Sequence, residues 1–360
     1  MVWLLSNEDV ENLLTMRDCM DAIGEAHREL GMGLAVGRPR THTCVPTSRE
    51  GYFHNLKSID GSIPSKGVSA LRLSSDIIFF PVVGGKQRKD KLPALPGGTF
   101  LGLILLFSTE NGELLAILQD GYIQTARVGA SSGVAAKYLA RKEASVLGLF
   151  GSGSQARTQA MALSLARPIR KIKVYSPNPE HRNRFAIEME KKIGVEIVPV
   201  SHPEHAARDS DVISAATNSL KPVVQGDWVE EGMHLTAVTV CEFDDLAYKK
   251  MDVIVTSTRL QTIISYPPKV AARAPKFMGE YEGITRVSLP ENVPELSALV
   301  AGEAHGRSSD SDITFYGSIG RGGGPGIQFA AVAHRAYELA KQKGVGRELP
   351  LEWFLEKIHP

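Results

Sequence analysis

Three cysteines in 360 residues, Cys19, Cys44 and Cys241, are too few and too scattered for a disulfide framework or a zinc cage. A reducing, cytoplasmic setting is expected, with no metal site. Net charge is nearly absent as well: 41 Lys and Arg stand against 40 Asp and Glu, leaving +1. That balance excludes a chain built to coat nucleic acid or an acidic membrane. Long apolar runs are missing too. The longest, residues 100–107, is far shorter than the ~20 residues of a membrane helix and reads as a buried strand. The N-terminus turns acidic at Glu8 and Asp9 with no basic stretch ahead of an apolar one, so no signal peptide is expected. What remains is an ordinary folded composition, 43% hydrophobic and 22% charged, long enough for two domains of ~150 residues.

Ser6 with Asp9 and Thr15 with Asp18 have capping-box spacing, and Met20, Ile23, Ala26 and Leu30 follow at helical spacing. The chain therefore opens with helices. Between residues 68 and 118 the rhythm changes to short apolar runs at 68–73, 77–83, 101–107 and 114–118, broken by Gly, Pro and Asn-Gly. Glu110-Asn111-Gly112 is the strongest hairpin signal, because Asn-Gly accepts the positive φ angles of a tight primed turn. An alanine-rich helix at about 125–141 then leads into alternation. Strands are expected at 144–150, 171–175, 196–200, 212–215, 234–238 and 253–257, with helices such as 155–165 and 180–193 between them. Such alternation implies a parallel sheet with helices on both faces. A Gly-rich stretch from Gly317 to Gly326 and a helix at about 328–343 close the chain.

The 144–150 strand runs into Gly151-Ser152-Gly153-Ser154-Gln155-Ala156 and then a helix, the G-x-G-x-x-A fingerprint in its strand–turn–helix setting. Gly151 permits the tight turn, Gly153 lets the backbone approach a pyrophosphate, and Ala156 lets the helix pack close to the strand. The residue reading the adenosine ribose stands at the end of the second strand, where a carboxylate would select NAD. None is there. Ser176-Pro177-Asn178-Pro179-Glu180-His181-Arg182 puts a hydroxyl at that place, with Arg182 and Arg184 just beyond. A hydroxyl with an arginine accepts a 2′-phosphate that a carboxylate would repel, so NADP(H) is preferred and NAD(H) remains possible.

In its order of motifs the chain resembles the ornithine cyclodeaminase/mu-crystallin family. The resemblance rests on Gln124-Thr125-Ala126-Arg127 with its small-residue helix, the glycine turn, Ala216-Thr217-Asn218-Ser219, Gly232-Met233-His234-Leu235-Thr236-Ala237-Val238, and Ile313-Thr314-Phe315-Tyr316-Gly317-Ser318-Ile319-Gly320. It implies an α/β fold in which a Rossmann dinucleotide-binding domain, 128–318, is inserted in a split α+β substrate and dimerisation domain, 1–127 plus 319–360. It also implies a homodimer. By the same resemblance Ala216, Thr217, Asn218 and Ser219 line the dinucleotide, Val238 and Thr239 lie near the nicotinamide, and Ser318 and Gly320 close the site. Arg40 and Arg127 fall where the family holds a substrate carboxylate, a role that suits a guanidinium fork.

Several positions depart from the cyclodeaminase pattern. Arg72 takes the place of a family lysine, with Lys66 a substitute only if the register slips, and arginine is a poor proton shuttle. Cys241 stands at or beside the place of a family aspartate, with Glu242, Asp244 and Asp245 close by. His54 aligns with a family carboxylate and is expected either to carry a proton, given an ordinary pKa of ~6.5, or to be a satisfied histidine at a sheet edge. Lys57 is either a second cation facing substrate or a surface lysine. The expected catalytic residues are thus His54 and Glu242, with Arg40, Lys57, Arg72 and Arg127 binding substrate. The first reading is an NAD(P)H-dependent imine or ketimine reductase, or amino-acid dehydrogenase, acting on a small carboxylate. The alternatives are an ornithine-type cyclodeaminase and a non-catalytic NADP-dependent binder. A mobile cover formed by 320–326 is a further expectation.

Overall fold

In the computed structural model, which describes residues 1–83, 86–87, 90–96, 98–219, 221–271, 292–318 and 325–357, the alternating half forms one sheet of seven parallel strands. From edge to edge they run Glu196–Pro199, Lys171–Tyr175, Val146–Phe150, Val212–Ala215, His234–Ala237, Thr314–Gly317 and Val253–Thr256. Every residue of Val212–Ala215, His234–Ala237 and Thr314–Gly317 is buried, as a strand covered on both faces requires. The expected helices are present as Ser154–Ala166 and Pro179–Ile193.

The alanine-rich helix spans Gly121–Leu139, starting four residues earlier than its composition suggests. Its first amides find acceptors from outside the helix: Gly121 N–H donates to Gln119 Oε1 at 2.6 Å and Tyr122 N–H to Asn7 Oδ1 at 2.7 Å. Asp120, at the N-cap position, makes no capping bond and is turned elsewhere. Gly129, Ala130, Ser131, Ser132 and Gly133 are all buried, and these small side chains let Ser154–Ala166 pack against the helix.

The second sheet has ten strands. Its path runs Ile263–Ser265, Thr41–Pro46, Phe53–Ile63, Val68–Phe79, Leu101–Ser108, Leu114–Gln119, Val2–Leu5 and Arg347–Leu349, with Val36–Gly37 and Asp90–Leu92 paired beside it. Helix Ile327–Lys343 lies on one face and packs in turn against Met16–Gly31, which the Thr15–Asp18 capping box opens. The amino-terminal segment and the last helix therefore share one core, into which the parallel-sheet domain is inserted.

Three local expectations change. The runs at 68–73 and 77–83 are continuous through residue 79, because Ser74, Ser75 and Asp76 keep the two-residue period and strict alternation of burial. The Asn-Gly hairpin is a longer loop over residues 109–113. There only Gly112 has positive φ, +76°, while Asn111 Oδ1 accepts from Glu113 N–H at 3.1 Å. The strand at 101–108 is buried on one face alone, with Gly102, Ile104 and Leu106 inward and Leu101 exposed.

Candidate functional site

In a parallel sheet all carboxyl ends share an edge, and here the strand order reverses between Val146–Phe150 and Val212–Ala215, opening the crevice where dinucleotides bind. Gly151 leaves the first of these strands with φ +116°, and a Cβ there would stand 2.3 Å from the Ala216 carbonyl oxygen. Gly153 caps helix Ser154–Ala166 without a side-chain bond, and nothing lies within 4 Å of where its Cβ would be. The first-turn amides thus face an open space, as a pyrophosphate cradle requires. Ala156 is fully buried against the strand side, and the Gln155 side-chain oxygen is buried without a partner among the described residues. Ser152 Oγ donates to Ser176 Oγ at 3.1 Å, and Arg182 Nη1 donates to the Ser176 carbonyl at 3.0 Å, so these three meet at the end of the second strand. Asn178 is engaged as the N-cap of Pro179–Ile193, accepting from His181 N–H at 3.1 Å. The residues present fit a nicotinamide dinucleotide.

Glu242 is placed differently from a proton carrier. Its side chain is fully buried. Oε1 accepts from Thr217 N–H at 2.6 Å and Thr217 Oγ1 at 2.8 Å, while Oε2 accepts from Val238 N–H at 3.1 Å and Thr239 N–H at 2.9 Å. Burial pushes its carboxyl above the usual carboxylate range, and the bonds from Thr217 and Thr239 pull the other way. The carboxylate ties the two loops that follow the fourth and fifth strands. Asn218 is exposed beside them, and Ser219 N–H donates to Thr217 Oγ1 at 3.2 Å. Cys241, its thiol raised by burial, donates from Sγ to the Ser219 carbonyl at 3.3 Å. Ser318 follows strand Thr314–Gly317 at the same edge, whereas Gly320, with the rest of 319–324, lies outside the described residues. The expected cover is therefore undescribed except for Pro325 and Gly326.

The other half of the site is the inner face of the ten-stranded sheet. Strand alternation puts Arg72, Ser74 and Asp76 on that face of Val68–Phe79, and Asn55 and Lys57 on that face of Phe53–Ile63. Arg72 Nε donates to Asp120 Oδ2 at 2.6 Å and Nη2 to Gln124 Oε1 at 2.7 Å. Arg127, from the second turn of Gly121–Leu139, donates from Nη1 to Gln328 Oε1 at 2.8 Å. Gln328 in turn donates from Nε2 to Ser131 Oγ and His27 Nε2, each at 3.0 Å. Both guanidiniums lie over the Phe329 ring, Arg127 at 4.8 Å and Arg72 at 5.5 Å from its centre. Arg40 reaches Thr262 Oγ1 at 3.4 Å, beside the strand Ile263–Ser265 that the parallel domain sends into this sheet.

Burial, with the charges of Arg72 and Arg40 close by, lowers the Arg127 guanidinium to about 9. It is still protonated at neutral pH. Its Nε is buried with no partner among the described residues. Tyr316, on strand Thr314–Gly317, lies near enough to Ser131 and Arg127 to interact with both. The arginine cluster therefore adjoins the dinucleotide edge. Arg72 is buried and Arg40 and Arg127 are half-buried, and guanidiniums brought this close form a site that an anion stabilises.

His54 does not reach this cluster. Alternation turns it to the opposite face of the sheet, where Nε2 meets Ser75 Oγ at 2.8 Å. Lys57 is on the inner face, ion-paired with Asp76. Sequence reasoning missed Asp120, Gln124, Gln328, Phe329 and Asp76, which hold the cations in place. The two-residue period through 72, 74 and 76 was a signal for Asp76, but Gln328 meets Arg127 across 201 residues of chain and left none. Among the described residues no three metal-ligating side chains gather, and no helix is long and apolar enough to cross a membrane.

Comparison with known proteins supports the same architecture. The chain is 30% identical over 347 residues to alanine dehydrogenase of Archaeoglobus fulgidus, covering 96% of this chain and 97% of that one. It is 30% identical over 358 residues to a Δ1-pyrroline-2-carboxylate reductase of Bacillus cereus, covering 96% and 99%. The solved Δ1-pyrroline-2-carboxylate reductase of Thermococcus litoralis, in complex with NADH and L-proline, superposes with a TM-score of 0.74 at 29% identity, covering 97% of this chain and all of that one. With residues 2–344 matching the family's pattern, the chain belongs to the ornithine cyclodeaminase/mu-crystallin family.

Proposed function

We propose that the protein is an NAD(P)H-dependent oxidoreductase interconverting a small imino acid, cyclic or open, and the corresponding amino acid. One observation carries the reading: Arg40, Arg72 and Arg127 converge on the inner sheet face beside the carboxyl edge of the dinucleotide fold. Paired guanidiniums hold the substrate carboxylate through charge-assisted bonds, which orients the neighbouring carbon. The bound dinucleotide supplies the hydride. Glu242 keeps the loops carrying Thr217, Val238 and Thr239 in position, and neither it nor His54 is assigned a proton. The alanine dehydrogenase and the pyrroline-carboxylate reductases to which the chain is similar support oxidoreductase chemistry at an amino or imino acid. Ser176 with Arg182, in place of a carboxylate, supports NADP(H) over NAD(H).

The assay is oxidation of NADPH and of NADH against cyclic imino acids and against 2-oxo acids with ammonia or methylamine. Stoichiometric loss of reduced cofactor with one class is expected. Binding of both cofactors with no consumption, together with ammonia release from a diamino acid, overturns the reading in favour of a cyclodeaminase.

The same reading includes a homodimer. The outer face of the ten-stranded sheet carries half-buried Leu71, Leu73, Leu103, Leu105 and Ile117, an apolar surface over which no helix lies among the described residues. A solved archaeal alanine dehydrogenase, 29% identical over 97% of this chain with a TM-score of 0.72, is described as a dimer. Sedimentation equilibrium is expected to give twice the 39.0 kDa chain mass, and Leu73→Glu is expected to shift it to the monomer.

A further inference from the structure

Where Arg127 meets the rest of the fold, its side-chain partner is an amide and not a carboxylate. Arg72 donates to Asp120, a charge opposite its own, whereas Arg127 Nη1 donates to Gln328 Oε1. Gln328 is 1% exposed and stands at the start of helix Ile327–Lys343, which packs against both Met16–Gly31 and Gly121–Leu139. Burying an amide is costly unless its donors and its acceptor are met. Here all are met. Oε1 accepts from Arg127, and the two amide protons go to Ser131 Oγ and His27 Nε2, each at 3.0 Å.

Each of these bonds determines the next. Ser131 spends its one hydroxyl proton on the Arg127 carbonyl, at 2.8 Å, so toward Gln328 its oxygen accepts. That puts the amide nitrogen on the Ser131 side. A guanidinium has no acceptor, which puts the amide oxygen on the Arg127 side. The second amide proton then faces His27 Nε2, and this nitrogen must offer a lone pair, so the ring proton sits on Nδ1. His27 is completely buried, and burial lowers its imidazole to about 4, in keeping with a neutral ring. Its Nδ1 has no partner among the described residues. An apolar ring in this place would fill the space without an unmet donor, so the Nε2 lone pair is what distinguishes a histidine here.

The consequence falls on Arg127. An amide oxygen orients a guanidinium as a carboxylate does, but leaves its charge to attract the substrate. An amide also has two unlike ends, and unrestrained it would be free to turn its nitrogen on the arginine. His27 and Ser131 prevent that turn. We propose that His27 and Gln328 are positioning residues for the substrate: the His27 lone pair fixes the orientation of the Gln328 amide, and the amide oxygen holds Arg127 in place without cancelling its charge. This rests on the oxidoreductase reading above, in which Arg127 binds the substrate carboxylate, and adds what sets that arginine.

The test has two arms. Long-range nitrogen–proton correlation spectra of the wild type with labelled histidine, the His27 signals being those missing from His27→Phe, are expected to show a neutral ring with its proton on Nδ1. This arm reads the wild type and stands whether or not a variant of Gln328 folds. The second arm measures KM, kcat and NADPH affinity with the 2-oxo acid or cyclic imine that the wild type reduces. Gln328→Glu should raise KM about 100-fold, because the carboxylate keeps the bond to Arg127 but cancels the charge the substrate needs. Gln328→Met and His27→Phe should each raise it about 3- to 10-fold, and the two together no more than Gln328→Met alone. In each variant kcat should change less than KM, and NADPH affinity by fluorescence titration should not change. A merely structural glutamine gives the reverse order, since Met breaks every bond and Glu spares one. That order, or additive effects of the pair, overturns the proposal and leaves the oxidoreductase reading intact, as does a His27 proton found on Nε2. No turnover with any 2-oxo acid or cyclic imine removes that reading, and the proposal with it.

Discussion

Arg127, half-buried, and Glu242, fully buried, are both ions inside the fold, and their surroundings give them different work. Arg127 has one side-chain acceptor, an aromatic face beneath it and a donor left over, so much of its charge awaits a ligand. Arg127→Met preserves the contact with Phe329 and removes that charge; KM for the amino or imino acid should rise about 100-fold while the dinucleotide dissociation constant hardly moves. Steady-state kinetics with fluorescence titration of NADPH separates the two effects. Glu242 is saturated by donors from two loops. Glu242→Gln keeps the volume but replaces one acceptor oxygen with a donor, leaving one loop's amides unpaired. NADPH affinity should fall about 10-fold or more, and the pH dependence of kcat should keep its shape. Loss of a limb of that profile would instead make Glu242 the acid. The types of these residues were legible in the chain, but the face each one presents was not. His54 and Lys57 are three positions apart and look equally eligible in sequence, yet the pleat sends them to opposite faces.

Among the elements, the turn between Val146–Phe150 and Ser154–Ala166 was the most legible, because its glycines answer local geometric demands. The two glycines answer different demands. At Gly151 a Cβ would collide with the Ala216 carbonyl and the φ of +116° is unfavourable for any other residue, so Gly151→Ala should cost about 1–3 kcal/mol of stability. Gly153 has φ −84° and open space before it. Gly153→Ala should therefore melt within a degree or so of the wild type, its φ being allowed and its surroundings empty, yet bind dinucleotide poorly. Thermal denaturation and NADPH titration of the two variants make the comparison, and equal stability losses would refute the distinction. The Asn-Gly loop shows the limit of such local reading. Its hairpin partner strands formed as expected, but the loop took five residues because the Asn111 side chain accepts from the Glu113 N–H and Asn111 stays out of the left-handed region.

For the whole molecule, three aspartates tie segments distant in sequence or cap a helix, and all three are held below the usual carboxylate range although burial alone would raise them. Thr15 and Arg335 outweigh burial at Asp18, Lys57 and then Lys91 at Asp76, and the Ser145 and Val146 amides followed by Arg141 at Asp211. The unfolded chain binds these protons near the ordinary value of ~3.9. Their stabilisation is therefore complete above that pH and is lost as pH falls through the lower folded values. Melting temperature should hold down to about pH 5 and drop steeply below about pH 4. Circular dichroism melts across that range check this, and Asp76→Asn should flatten part of the slope. The strand–helix alternation, the glycine turn and the missing ribose carboxylate follow from short-range rules of period and φ, which is why the parallel domain and its cofactor class could be inferred before any contact was known. The substrate half obeys long-range pairings: Arg72 with Asp120, Arg127 with Gln328, and Arg40 with Thr262. Such pairs are set by which strands and helices come to lie side by side. That is decided by burial of the whole core, and no window of neighbouring residues contains it.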